Sequence, residues 1–132
     1  MRQFLAVLCS VFALTLVACS GGGGGPDAVV QDFIKAVDKK DTDKALTYFS
    51  FAGVDNEDMA DAKGKLQMML GQMASQFARN NGVDKVSIKT STLNEAKTTA
   101  SVTVSIAYKN GKSQDEQFKL KNEKGGWKIV LD

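Results

Sequence analysis

Cys9 and Cys19 are the two thiols of the sequence, and it contains no histidine. A thiolate is the most reactive nucleophile available to a protein and a ready site of covalent modification. Cys9 lies within an apolar run, whereas Cys19 follows Leu16-Val17-Ala18 and precedes Ser20 and a run of glycines. Without histidine, the commonest metal ligand and the usual base near neutral pH are missing. Tyr48 and Tyr108 are the phenols, and nothing in the sequence pairs an aspartate with either. A working base would need a hydrogen-bond partner and a shifted pKa. Asp55, Glu57, Asp58 and Asp61 crowd together, but they lack the ligand order and central glycine of an EF-hand. A helix start explains them, because the dipole favours negative charge there. No Gly-x-Ser-x-Gly elbow and no zinc spacing occurs. The expected catalytic, metal and cofactor-binding residues are therefore none, and the chain is expected not to be an enzyme.

Cys19 takes its meaning from what precedes it. Met1-Arg2-Gln3 is a short basic start, and residues 4–18 form an uncharged, mostly apolar run. As a helix this run spans ~22 Å, short of a ~30 Å hydrocarbon core, so residues 1–18 read as a signal peptide. Leu16-Val17-Ala18-Cys19 resembles the lipobox of bacterial lipoproteins. That resemblance implies cleavage before Cys19, a diacylglycerol on its thiol, and acylation (palmitate, for example) of the new amino terminus. Two or more chains, at ~0.8 kcal/mol per buried methylene, give stable anchoring. Ser20 stands where an aspartate would resemble an inner-membrane retention signal, which favours the outer membrane in a Gram-negative cell. Residues 21–25 are all glycine, a flexible tether. A phosphate loop would need Gly-Lys-Ser/Thr after it. Residues 20–25 reach at most ~20 Å, keeping the domain near the headgroups. Cys9 leaves with the leader, so no internal disulfide is expected and the domain must rely on its core.

Residues 26–132 are expected to form one domain. Composition is ordinary for a globular protein, at 43% hydrophobic and 24% charged. The net charge of +2 falls to +1 with loss of Arg2, which argues against nucleic acid as a partner. Pro26 suits a first helical position. Val29, Val30, Phe33, Ile34 and Val37 fall on one helix face. Asp41 can cap a second short helix with Ala45, Leu46 and Phe49. Residues 50–56 read as a turn with a brief strand. A third helix opens at Glu57 and carries Met59, Ala62, Leu66, Met69, Leu70, Met73 and Phe77 in steps of three and four. Gly64 and Gly71 interrupt it and suggest close packing or a bend. Asn81-Gly82 stops it. The period then changes to two. Val86, Ile88, Thr90 and Thr92 alternate, as do Ala100, Val102, Val104, Ile106 and Tyr108. Asn110-Gly111 marks a hairpin, Phe118 and Leu120 lie on the return strand, and Trp127, Ile129 and Leu131 finish. The fold class is α+β: N-terminal helices packed on a curved antiparallel four-stranded meander.

The Pro26-Asp27-Ala28-Val29-Val30 opening, Phe33, Ala36 and the closing Gly126-Trp127-Lys128-Ile129, with the lipobox, resemble one family of small bacterial lipoproteins. It is a domain-of-unknown-function family within the nuclear-transport-factor-2-like (cystatin-like) superfamily. The resemblance covers residues 26–132 and implies a cone of curved sheet and helices whose open end holds a small apolar ligand in many members. Enzymatic members commonly use a His, Asp or Tyr in the cone. The implied pocket walls are Met69, Met73 and Phe77 from the third helix, with Tyr108 and Trp127 from the sheet; plain core is the alternative for all of them. Lys109, Lys112, Lys119, Lys121, Lys124 and Lys128 concentrate on the last hairpins, interleaved with Asp115, Glu116 and Glu123. They read as protection of exposed strands rather than as a headgroup-binding patch. The leading expectation is a membrane-anchored, non-catalytic binding or accessory domain of the cell envelope. A module for self-association or an envelope protein partner is the alternative, and an isomerase- or hydrolyase-like enzyme the weaker one.

Overall fold

The computed structural model describes residues 25–124 and 126–131. The leader, Cys19 and the glycines before Gly25 lie outside the described residues. Helix α1 spans Pro26–Asp38, with proline in its first turn and the amides of Ala28 and Val29 donating to the carbonyl of Gly25. Its buried face is Val29, Val30, Phe33, Ile34, Ala36 and Val37. Lys40 turns the chain in the left-handed region, φ 62°, and Asp41 then caps α2, Thr42–Leu46, by accepting from the Lys44 amide at 3.2 Å. Helix α3 runs Asn56–Arg79 and buries Leu66, Leu70 and Phe77. It ends as the sequence predicts: Gly82, at φ 91°, donates back to the Phe77 carbonyl at 2.8 Å.

Four strands follow, β1 Val83–Leu93, β2 Thr99–Tyr108, β3 Ser113–Glu123 and β4 Gly126–Val130, paired antiparallel in sequence order. Strand β2 buries Ala100, Val102, Val104, Ile106 and Tyr108 on the face that meets the helices. The β2–β3 hairpin closes through Lys109, Asn110 and Gly111, with Gly111 at φ 91° and its amide donating to the Tyr108 carbonyl. This three-residue loop with a left-handed glycine fixes the register. Val102, Val104 and Ile106 stand opposite Phe118, Glu116 and Gln114.

Strand β1 departs from simple alternation. Its register shifts between Val83 and Lys85 and again between Ile88 and Thr90. Val86 and Ile88 oppose the buried Ile106 and Val104, but Thr90 and Thr92 oppose Thr103 and Ser101 on the other face. The extra residue at Lys89 reverses the parity, so the four do not share one face as their spacing predicts. Such bulges bend the strand and increase its twist, which curls the sheet around α1.

Helix α1 fills the hollow of the sheet. Val30, Phe33 and Ile34 are fully buried, and the Phe33 ring meets Phe49 and Phe118 edge-on at 5.2 and 5.8 Å. The helix is pinned at both ends to β1: Ser91 Oγ donates to Asp27 Oδ1 at 2.5 Å, and the Val83 amide donates to Asp38 Oδ1 at 3.0 Å. Beyond α2, Phe49 makes a parallel bridge with Ile129, so the chain at 48–50 covers the outer edge of β4. The brief strand expected in residues 50–56 is this bridge, one residue earlier.

Candidate functional site

Helix α3 carries its apolar stripe past the sheet without lying flat on it. It packs chiefly on α1 and α2, and it meets the sheet at its C-terminal end. There the Phe77 and Tyr108 rings approach at 5.8 Å, Gln76 Nε2 donates to Gln114 Oε1 at 2.7 Å, and Asn110 Nδ2 donates to Asn80 Oδ1 at 2.8 Å. Further along the helix the two layers part, leaving a cleft. One lobe, about 290 Å³, is lined by Phe33, Phe49, Met69, Met73, Glu116 and Phe118 among others. A second, about 480 Å³, lies between Phe51, Val54, Ala62, Leu66 and the end of β4, with Lys65 and Lys121 on its walls. Phe49, Met69, Val130 and Leu131 belong to both lobes, so they form one groove, apolar around Phe51 and Leu66 and mixed around Glu116, Gln117 and Lys119. Its size and lining suit a small ligand with an apolar body.

A polar network adjoins Glu116 on β3. Tyr108 donates its hydroxyl to Gln114 Oε1 at 3.1 Å, beside the bond from Gln76. The Gln114 amide nitrogen donates to Glu116 Oε1. Burial, and then the negative charge of Glu116, push the Tyr108 phenol above its ordinary pKa. At neutral pH it is therefore a hydrogen-bond donor rather than a base. Among the described residues no group of three or more His, Cys, Asp or Glu is placed to hold a metal ion.

Of the five expected wall residues, Met69 and Met73 line the groove, Met69 at 36% exposure. Phe77 and Tyr108 are buried against each other and line neither lobe. Trp127, opposite Asn122 at the far end of β4, packs half-buried on the core and lines neither lobe. The three acids grouped from the sequence have three different settings. Asp115 is on the outer face and pairs with Lys89 at 2.7 Å, Glu123 accepts from the Ser50 hydroxyl, and Glu116 enters the groove. Sequence reasoning missed Glu116 and Gln114. The signal was present: both share the parity of Phe118 and Leu120.

Helices followed by an open four-stranded antiparallel sheet define an α+β domain with the nuclear-transport-factor-2-like (NTF2-like) fold. The chain is similar to a Campylobacter jejuni protein named as a candidate NTF2-like transpeptidase, solved by crystallography at 2.00 Å. The match has a TM-score of 0.74 and 21% identity over 81% of this chain and 98% of that one. At this identity the likeness defines the fold alone. The intermembrane-space region of the chloroplast protein ARC6 aligns over 77% of this chain and 91% of its own, with 16% identity and a TM-score of 0.30. No curated protein matches the sequence. Residues 17–130 match the model of DUF4878, a domain of unknown function, and the chain belongs to that family.

Proposed function

We propose that this chain is a lipid-tethered, non-catalytic binding domain of the bacterial envelope, and that its groove receives the apolar part of a small ligand. The observation that supports it best is the parting of α3 from the sheet over Met69 and Met73, which leaves aromatic and thioether surface around an open groove. Methionine side chains adapt to ligands of varied shape. The tether half of the reading rests on the leader, the Leu16-Val17-Ala18-Cys19 pattern and the glycines that follow. The non-catalytic half rests on the sequence, which holds no histidine and pairs no aspartate with Tyr48 or Tyr108. A groove that binds and releases needs no more than shape and a few placed polar groups.

The test is a titration of the ¹³C-methionine-labelled protein with 4-phenylbutanol, followed through the methyl resonances. Met69 and Met73 are expected to shift saturably while Met59, outside both lobes, stays in place. Absence of any saturable shift, or shifts confined to Met68, which is 71% exposed, would contradict the proposal.

A further inference from the structure

The geometry points to a ligand that carries a cationic, hydrogen-bond-donating head on its apolar body, with Glu116 as the residue that receives the head. This deepens the groove reading above and rests on it. Glu116 stands opposite Val104, whose side chain is fully buried, so the register turns it towards the helices rather than to solvent. It is half-buried in the lobe walled by Phe33, Met73 and Phe118. A carboxylate in such surroundings needs partners to offset its lost hydration. It can accept about four hydrogen bonds. Gln114 supplies one of these, and among the described residues no lysine or arginine lies within ion-pair distance of it. Its neighbour Asp115, on the solvent face, has its cation in Lys89. The inward carboxylate faces the groove, on a wall that also carries Lys119.

Its position is fixed in advance. Gln114 Oε1 already receives both the Tyr108 hydroxyl and the Gln76 amide, which turns the Gln114 nitrogen towards Glu116. A carboxylate held in place loses little freedom when a donor arrives, and a charge-assisted bond is roughly twice as strong as a neutral one. A primary or secondary ammonium with an aromatic or alkyl body fits this arrangement: the head at Glu116, the body along Met73, Met69 and Phe118.

The test compares three water-soluble probes of one shape on the full chain: 4-phenylbutylammonium, 4-phenylbutanol and 4-phenylbutanoate. Affinities are read from the Met69 and Met73 methyl shifts. The ammonium is expected to bind about tenfold or more tightly than the carboxylate, as one charge-assisted bond in a sheltered site allows. Glu116→Gln keeps the size of the side chain and should remove that preference while leaving 4-phenylbutanol unchanged. Asp115→Asn should leave the preference intact. Equal binding of the three probes, tighter binding of the carboxylate, or a preference that survives Glu116→Gln would overturn the assignment while the groove itself stands. Failure of all three probes to bind would overturn the groove reading and this one together.

Discussion

Asp115 and Glu116 are adjacent in sequence and opposite in circumstance, because successive residues of a strand face opposite sides. Asp115 is exposed, and its hydrogen bond and charge pairing with Lys89 hold its carboxyl below the usual aspartate pKa. A depressed folded-state pKa adds stability above the unfolded value and loses it as pH falls through the folded one. Solvent screens so open a pair, so its effect on folding is small, but its effect on titration is readable. Lys89→Ala should raise the Asp115 pKa towards that of a free aspartate, as followed by carboxyl ¹³C NMR. An unchanged titration would remove Lys89 as the cause.

Helix α3 shows what an element owes to its own sequence and what to its neighbours. The positions of Gly64 and Gly71 in the sequence suggest close packing or a bend. A Cβ built on either meets nothing within 4 Å, so the close-packing half of that expectation is corrected. Glycine in a helix interior costs ~1 kcal/mol relative to alanine, through the freedom it keeps when unfolded. Gly64→Ala and Gly71→Ala should each stabilise the domain by ~0.5–1 kcal/mol, read as a higher urea midpoint at unchanged slope. A lower midpoint would mean that α3 needs the glycines to bend. Helix faces, the Asp41 cap, the Gly82 stop and the Asn110-Gly111 hairpin were legible because each depends on residues near in sequence. The Lys89 bulge was not, since an inserted residue is defined only against its partner strand. Nor was the groove: the stripe on α3 predicts burial, but how far the helix stands from the sheet is set by α1 and by the Phe77–Tyr108 contact. Glu116 lay between these cases. The hairpin gives its parity, but the run of lysines around it masks that parity.

At the scale of the molecule, one helix organises the fold: α1 fills the sheet, is pinned to β1 at Asp27 and Asp38, and begins directly after the run of glycines in the sequence. Among the described residues the first of the core is Val29, ten positions after Cys19. Cys19→Ala should move the protein from the membrane to the soluble fraction with its thermal midpoint unchanged; a variant still bound to membranes would sink the anchor. If the groove binds as proposed, it is occupied in the cell. Native mass spectrometry of the protein purified gently from its own host tests this most directly. A non-covalent adduct of small-molecule mass, lost on denaturation and reduced in Glu116→Gln, is expected. A bare chain, with no adduct under conditions that preserve the fold, would contradict it.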